Sequence, residues 1–300
     1  MRIEKLSDLF VEIKGRLLKR LVVVNAVDEH TIEAVSTAID MGIVEGILTG
    51  DPEKITETCK SIGVDVGKFI IEPAASEDEA AIKAASFVSE GKADLMMKGL
   101  VSTDKFMRAL LNKDFGLLPP KGILSHVAVM EIQNYHKLLI VSDVAVIPYP
   151  DLAQKITMTG CLIRTATALG IENPKVALIA ATEQVLASIP ACTEAAIISK
   201  MAERGQIFGG IVDGPFALDV ALDRESALIK MIKSPVAGDA DCLLFPNIDA
   251  GNVFYKMAVK LCKSNQAAIV AGAKVPVVLS SRSDSMETKL YSIALAALLT

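Results

Sequence analysis

Short runs of valine, isoleucine and leucine alternate along this chain with longer stretches of helical periodicity. The apolar runs predict strands at 21–24, 44–48, 69–71, 94–97, 138–141, 176–180, 209–212, 242–245, 268–271 and 276–279. The stretches between them predict helices at 29–41, 76–89, 152–169, 190–202, 217–232, 253–262 and 287–299. Strands of this composition that are separated by helices form largely parallel sheets covered by helices. The alternation therefore predicts an α/β protein.

Length and charge narrow the choices further. The 300 residues suit two domains or one large α/β domain, and Pro148 and Pro150 interrupt the pattern at the best candidate boundary. A net charge of −5 argues against a nucleic-acid surface. The sequence has no G-x-G-x-x-G after a strand and no G-x-x-x-x-G-K-[ST], which disfavours a standard dinucleotide or P-loop site.

The cysteines and the first twenty residues indicate the compartment. Five cysteines, an odd number without C-x-x-C spacing, are typical of small buried residues in a reducing cytoplasm. His30, His126 and His136 also lack metal-ligand spacing. Residues 1–20 predict a charged amphipathic helix rather than a signal peptide, and no apolar stretch is long enough to span a membrane. We therefore expect a cytoplasmic protein, whose apolar composition also favours subunit interfaces.

The segment after the last predicted strand is rich in hydroxyl groups and surrounds one arginine. It reads Ser280-Ser281-Arg282-Ser283-Asp284-Ser285 and leads directly into the last predicted helix. Backbone N–H groups, the helix dipole and a guanidinium together favour an anion site. Alternatively, Asp284 and Glu287 form a capping box, or Ser283 or Ser285 caps the helix. Capping leaves Arg282 unexplained, because a cation near a helix N-terminus opposes the dipole.

A second polar cluster follows the strand predicted at 94–97. Lys98 and Gly99 end that strand, Ser102 and Thr103 offer hydroxyl groups at a helix start, and Arg108 lies about one and a half turns further on. One interpretation is a second grip on phosphate or carboxylate. The other is a capped helix with a solvated arginine.

The sequence Asp213-Gly214-Pro215 leaves another apolar run. These residues predict a tight turn, which Asp213 can hold through its own backbone. The functional alternative places Asp213 at a cleft, where it contacts a ligand or a neighbouring loop.

A third junction carries Gly251, Asn252, Tyr255 and Lys256. The pattern predicts a helix that begins near Gly251 with Asn252 as its N-cap. Tyr255 and Lys256 follow within a turn and are in a position to reach a substrate.

Taken together, the motifs resemble those of the phosphate acetyl/butyryltransferase family. The resemblance rests on M-K-G-L-V-S-T-D, D-V-A-V-I-P-Y-P-D, I-V-D-G-P-F-A-L-D, L-L-F-P-N-I-D-A-G-N-V-F-Y-K and S-S-R-S-D-S, and covers most of the chain. The compact length and the S-S-R-S-D-S segment are more similar to the butyryl branch than to the acetyl branch.

The resemblance implies a fold, domains and a reaction. The implied fold has two α/β/α domains around a cleft, similar to isocitrate and isopropylmalate dehydrogenases, with domain I at 1–148 plus 275–300 and domain II at 149–274. The implied reaction is the reversible conversion of acyl-CoA and phosphate into acyl phosphate and CoA. CoA is a substrate, no metal or prosthetic group is required, and a homo-oligomer is expected.

The resemblance also implies roles for individual residues. Ser281 and Arg282 match the family's Ser-Arg pair at the reacting acyl and phosphate oxygens, and Arg108 matches an arginine after its Ser-Thr pair. Thr288 occupies the position of an acetyl-branch aspartate, so Asp284 and Glu287 are the nearest candidates for the base. The implied substrate-binding residues are Lys98, Gly99, Ser102, Thr103, Asp213, Gly214, Pro215, Gly251, Asn252, Tyr255 and Lys256.

Three alternatives stay open on the sequence alone. The first is a phosphate acetyltransferase. The second is a non-catalytic protein of the same fold that binds acyl-CoA or acyl phosphate as an effector. The third is a metal-dependent decarboxylating dehydrogenase of similar fold, for which no convincing set of aspartates is found.

Overall fold

The computed structural model describes residues 2–120, 122–281 and 284–300, and divides the chain into two compact units. Unit I contains Ser7–Leu124 and Gln266–Thr300, and unit II contains residues 2–6 and Ser125–Asn265. The sequence analysis placed the division at residues 148/149 and 274/275, next to the prolines. Both prolines lie within unit II, because the strand that precedes them hydrogen-bonds to other strands of that unit.

Strands and helices alternate through both units. Along the described residues the strands are β1 (Lys19–Val24), β2 (Val44–Gly50), β3 (Phe69–Pro73), β4 (Leu95–Lys98), β5 (Ser125–Glu131), β6 (Leu139–Ser142), β7 (Lys175–Ile179), β8 (Ile211–Phe216), β9 (Cys242–Leu244), β10 (Asn265–Ala271) and β11 (Val277–Val278). The helices are α1 (Asp8–Ile13), α2 (Glu29–Asp40), α3 (Pro52–Ser61), α4 (Glu77–Ser89), α5 (Thr103–Leu110), α6 (Leu152–Ala168), α7 (Pro190–Glu203), α8 (Leu218–Leu222), α9 (Arg224–Ile229), α10 (Ile248–Lys260) and α11 (Met286–Leu298). The predicted α/β class is confirmed.

Unit I is built on a sheet with the strand order β3-β2-β1-β4-β11-β10. The first five of these strands are parallel, and β10 is antiparallel to β11. Leu21, Val22, Val23 and Val24 of β1 are all fully buried, as expected for a central strand covered on both faces. Helix α11 packs against α1 and α2, and its residues from Lys289 to Leu298 are all buried.

Unit II has the strand order β5-β6-β9-β7-β8. Strands β6, β9, β7 and β8 are parallel, and β5 is antiparallel to β6. The single helix predicted at 217–232 is two short helices, because Asp223 ends α8 and caps α9 by accepting a hydrogen bond from the Ser226 backbone N–H.

Two further predictions are confirmed only in part. Cys59, Cys161, Cys192 and Cys242 are buried as expected, whereas Cys262 is exposed at the end of α10. The amphipathic helix predicted at 1–20 is confined to α1, and β1 already begins at Lys19. No helix in the described ranges combines the length and apolar character that crossing a membrane requires.

Candidate active site

The carboxyl ends of three neighbouring parallel strands meet in unit I. Strand β4 lies between β1 and β11, with Val24 opposite Lys98 and Val278 opposite Met97. The chain passes from β1 to β2 on one side and returns from β3 to β4 on the other, so the order of strands reverses between β1 and β4. Open α/β sheets bind ligands outside the carboxyl ends of the strands at such a switch point.

The loops that follow β1 and β4 are joined through their backbones. Gly99 N–H donates to the Val24 carbonyl at 3.0 Å, Leu100 N–H to the Asn25 carbonyl at 3.0 Å, and the Asn25 side chain to the Leu100 carbonyl at 2.5 Å. A Cβ atom at Gly99 would lie 2.6 Å from the Val24 carbonyl oxygen. The absence of a side chain at this position is therefore what lets the two loops approach so closely.

A polar cavity of about 420 Å³ lies beside these loops, within unit I. Two of the predicted site residues, Gly99 and Ser281, line it. The full lining is Val27, Asp28, Glu29, His30, Thr58, Gly99, Leu100, Ser281 and Lys289. Residues from α2, α3, the β4 loop and the segment after β11 thus converge on one space large enough for a small anionic ligand.

Two hydrogen bonds join Ser281, on the wall of this cavity, to Asp284. The Ser281 N–H donates to Asp284 Oδ2 at 2.7 Å, and the Asp284 N–H donates to the Ser281 carbonyl at 3.2 Å. Arg282, which was predicted to be catalytic, and Ser283, a predicted cap, lie outside the described residues. Asp284 therefore holds the backbone of Ser281 in place.

Helix α11 is capped by Ser285, one of the caps that the sequence offered. Its side chain accepts a hydrogen bond from the Thr288 N–H at 3.2 Å. The predicted capping box between Asp284 and Glu287 is wrong, because Asp284 is bonded to Ser281 and Glu287 accepts from the Tyr291 hydroxyl at 3.2 Å.

The sequence analysis missed Lys289, which contacts Ser280 and Ser281. This side chain is 3% exposed, and its ammonium donates to Ser280 Oγ at 3.0 Å and to the Ser281 carbonyl at 3.3 Å. Burial lowers the pKa of Lys289, and the carboxylates of Asp28 and Asp284 partly oppose that shift. The signal was present, since Lys289 and Glu287 are the charged residues of an otherwise apolar and neutral helix.

The structure places the residues of the polar cluster after β4 in different environments. Lys98 is buried at the end of the strand, and its ammonium donates to the Gly99 carbonyl at 3.4 Å. Ser102 caps α5 by accepting from the Lys105 N–H at 3.3 Å, and Thr103 is the first residue of that helix. Arg108 is exposed and forms an ion pair with Asp104, as in the capped-helix interpretation.

In unit II, residues 213–215 lie inside β8, so the turn predicted there is wrong. Ala177 of β7 is opposite Asp213 and Ile179 is opposite Phe216, which leaves one extra residue in β8. A β-bulge absorbs that residue without ending the strand. Asp213 Oδ1 accepts a hydrogen bond from the Gly214 N–H at 2.8 Å.

The start predicted for the third junction's helix is also wrong. Asn247 caps α10 by accepting from the Ala250 N–H, and Asn252 lies inside the helix, where its side chain donates to the Val144 carbonyl at 2.8 Å. Gly251 is required for packing, because a Cβ atom there would lie 2.2 Å from the Asp143 carbonyl oxygen.

Tyr255 and Lys256 lie one turn further along α10. The ring of Tyr255 meets the ring of His126 edge to face, with 6.2 Å between centroids. Lys256 is exposed. Across both units, the described His, Cys, Asp and Glu residues form no group of three or more that could hold a metal ion.

The fold and the cavity of unit I together define an α/β protein with a candidate ligand site at a topological switch point. The chain belongs to the phosphate acetyl/butaryl transferase family, whose sequence model matches residues 74–297. It is accordingly a transferase enzyme.

Individual relatives extend the match to nearly the full chain. The sequence is 46% identical to the phosphate butyryltransferase of Clostridium acetobutylicum, over 99% of this chain and 98% of that protein. It is 44% identical to the phosphate acetyltransferase of Thermotoga maritima, over 93% of this chain and 94% of that protein. A branched-chain phosphotransacylase from Enterococcus faecalis has the same fold, with a TM-score of 0.81 and 27% identity over 94% of this chain and 99% of that one. This likeness confirms the predicted isocitrate/isopropylmalate dehydrogenase-like fold.

Proposed function

We propose that this chain transfers a short acyl group, of butyryl size or close to it, reversibly between CoA and inorganic phosphate. Family membership supports the reaction class. The observation that carries the site is the position of Ser281, from the S-S-R-S-D-S segment, on the wall of the polar cavity at the switch point.

The proposed chemistry assigns a role to each residue around this position. A phosphate oxygen attacks the thioester carbonyl, and the resulting oxyanion needs fixed hydrogen-bond donors such as the Ser281 hydroxyl. Arg282 and Arg108 bind and align the phosphate oxygens. The C–S bond then breaks, and the CoA thiolate leaves and takes up a proton. The reverse reaction requires a base for the CoA thiol, for which Asp284 and Glu287 are the candidates.

The remaining proposed substrate contacts fall into two groups. Lys98, Gly99, Ser102 and Thr103 belong to unit I, and residues 213–215, Gly251, Asn252, Tyr255 and Lys256 belong to unit II. Gly99 and Gly251 contribute by letting backbones approach closely, as their Cβ distances indicate. The proposed reaction uses CoA as a substrate and needs no metal or prosthetic group, so a chelator is expected to leave the rate unchanged.

The proposal includes the cytoplasm as location and a homo-oligomer as the working form. Val253, Met257 and Leu261 repeat every fourth residue along α10 and are 68%, 37% and 78% exposed. An apolar stripe of this kind supports contact with another protein surface.

The central test measures CoA release and butyryl phosphate formation from butyryl-CoA and phosphate. Ser281→Ala and Arg282→Ala are each expected to lower kcat/KM by about 100-fold or more, because each removes a donor to developing charge. Arg204→Ala serves as the matched control, since Arg204 is an exposed arginine at the end of α7 in unit II. Wild-type rates in both site variants would overturn this assignment of the site.

The same assay across acyl-CoA substrates distinguishes butyryl from acetyl transfer. Identities of 46% and 44% to relatives of the two kinds are too close to decide, and the acetyl alternative therefore stands as the second candidate. Each methylene group in an apolar pocket contributes about tenfold or more to kcat/KM. A panel from acetyl- to butyryl-, isovaleryl- and hexanoyl-CoA is expected to peak at butyryl-CoA, and a maximum at acetyl-CoA would favour the second candidate.

A further inference from the structure

Lys289 is an unusual residue for the interior of α11. Lysine is almost never fully buried unless it is paired, yet this side chain is 3% exposed among apolar neighbours. Its described hydrogen-bond acceptors, Ser280 Oγ and the Ser281 carbonyl, are both uncharged. Among the residues described, no carboxylate forms an ion pair with its ammonium.

A purely structural role explains this arrangement poorly. Removing an ammonium from water costs several kcal/mol, and two neutral acceptors return only part of that free energy. The nearest described counter-charges, Asp28 and Asp284, act on Lys289 only at longer range. A buried charge that is incompletely compensated in the free protein is well placed to gain from an anionic ligand.

An anionic ligand can reach Lys289 through the cavity. Lys289 lines the same 420 Å³ cavity as Ser281 and Gly99, at the carboxyl ends of β4 and β11. An ammonium has three N–H donors, and the two described hydrogen bonds leave one of them for a further acceptor. The same side chain therefore contacts Ser280 and Ser281 and also lines the cavity.

We propose that Lys289 is the buried cation of a phosphate subsite: its ammonium fixes the Ser280–Ser281 backbone from behind and binds one oxygen of inorganic phosphate, or of the phosphoryl group of acyl phosphate. This inference rests on the proposed function and adds a residue to it. By holding Ser281 and phosphate together, Lys289 would set the distance between the attacking oxygen and the donor to the oxyanion.

Other charged groups surround this subsite and must be considered in any test. Asp28 and Asp284 raise the pKa of Lys289 against the lowering effect of burial. Glu29 and His30, at the start of α2, line the cavity as well. Helix α1, which also packs on α11, carries Asp8 and Glu12.

The first test compares Lys289→Met with the wild-type chain at pH 7.5. Loss of a hydrogen bond to a charged group is expected to raise the KM for phosphate about tenfold or more, while the KM for butyryl-CoA changes less than about twofold. The kcat is expected to fall as well, because Ser281 loses its support. Lys60→Met, which alters an exposed lysine of the same unit, is the control.

A second measurement uses the wild-type chain itself, so that it does not depend on the folding of a variant. As the pH rises towards 10.5, the ordinary pKa of a lysine, phosphate stays dianionic, whereas Lys289 with its lowered pKa loses its proton, so the KM for phosphate is expected to rise. In Lys289→Arg the guanidinium stays charged, and the KM is expected to stay flat. An unchanged phosphate KM in Lys289→Met, or the same alkaline rise in Lys289→Arg as in the wild type, would overturn the proposal.

Direct binding separates this inference from the reaction on which it rests. If the wild-type chain releases no CoA from any acyl-CoA, the proposed function fails. Calorimetric titration of inorganic phosphate still decides the subsite in that case. Binding to the wild type that is lost in Lys289→Met supports it, and equal binding or no binding to both contradicts it.

Discussion

At the scale of single residues, Lys289 has a consequence for stability as well as for binding. Burial lowers the pKa of Lys289 below 10.5, the ordinary value of a lysine. Between these two pKa values the unfolded chain binds more protons than the folded chain, so the free energy of unfolding rises with pH. The cost of burying the charge is largest at neutral pH and is relieved as the pH approaches about 10.5.

The Lys289→Met variant makes this linkage measurable. The free energy of unfolding of the variant minus that of the wild type is expected to fall as the pH rises towards 10.5, because only the wild type gains stability as Lys289 loses its proton. Urea denaturation at several pH values measures the difference. Lys60→Met, at an exposed position of the same unit, is the control. A flat difference for Lys289→Met would show that its folded pKa is not lowered.

At the scale of the element, the start of α11 depends on Ser285. Removing this side chain leaves the Thr288 N–H without its described acceptor, and Ser285→Ala is expected to cost about 1 kcal/mol of stability. Glu287→Gln keeps an oxygen that can accept from Tyr291 and is expected to cost less than about 0.5 kcal/mol. Denaturant unfolding of both variants at pH 7 makes the comparison. Equal losses would indicate that Glu287 takes part in capping after all.

The elements also show which features the sequence could predict. The strand β1 was predicted because its four-residue apolar core is buried on both faces, a pattern that needs no partner to be recognised. Helix α3 was not predicted, since it is short and largely polar and buries only Ile55 and Cys59. The bulge in β8 could not be predicted, because it is defined by the register against β7.

Helix α10 illustrates a different difficulty. Asn247 and Asn252 are both good N-cap residues, and local preference does not choose between them. Packing selects Asn247 as the N-cap. Gly251 lies close against the Asp143 carbonyl, and the Asn252 side chain donates to the Val144 carbonyl. Both contacts join positions more than a hundred residues apart, so a local reading of the sequence selects the wrong start.

At the scale of the whole molecule, the candidate site was predicted by two different routes. The residue pattern placed polar clusters after the strands predicted at 94–97 and 276–279, whereas the roles of Ser281, Arg282 and Arg108 came from the family resemblance. Neither route singled out Lys289: the sequence shows a charged residue in an apolar helix, and only the structure shows that this residue is buried. Functional charges buried in a helix are therefore the class of residue for which the three-dimensional structure adds most.

Unit II carries a charged network of its own at the amino ends of its strands. Lys137, just before β6, contacts Asp239 at 2.9 Å and Asp241 at 2.7 Å. Asp239 also accepts from His136 at 2.9 Å and from Lys175 at the start of β7. Burial opposes the charge on Asp239, but the bonds from Lys175, Lys137 and His136 outweigh it and hold the pKa of Asp239 well below its usual range.

This network makes the stability of unit II sensitive to acid. A carboxylate with a lowered pKa stabilises the fold above its unfolded pKa, about 3.9, and loses that contribution as the pH falls towards the folded value. Asp239→Asn is expected to cost on the order of 1 kcal/mol at pH 7, and the gap to the wild type is expected to narrow below about pH 4. Hydrogen exchange of the unit II amides in the wild type and in Asp239→Asn, at pH 7 and at pH 3, measures this difference in stability. The amides of unit I are the internal control. A stability difference of the same size at pH 3 and pH 7 would show that the charge of Asp239 does not stabilise unit II. An equal loss of protection in unit I would show that the two units do not unfold separately.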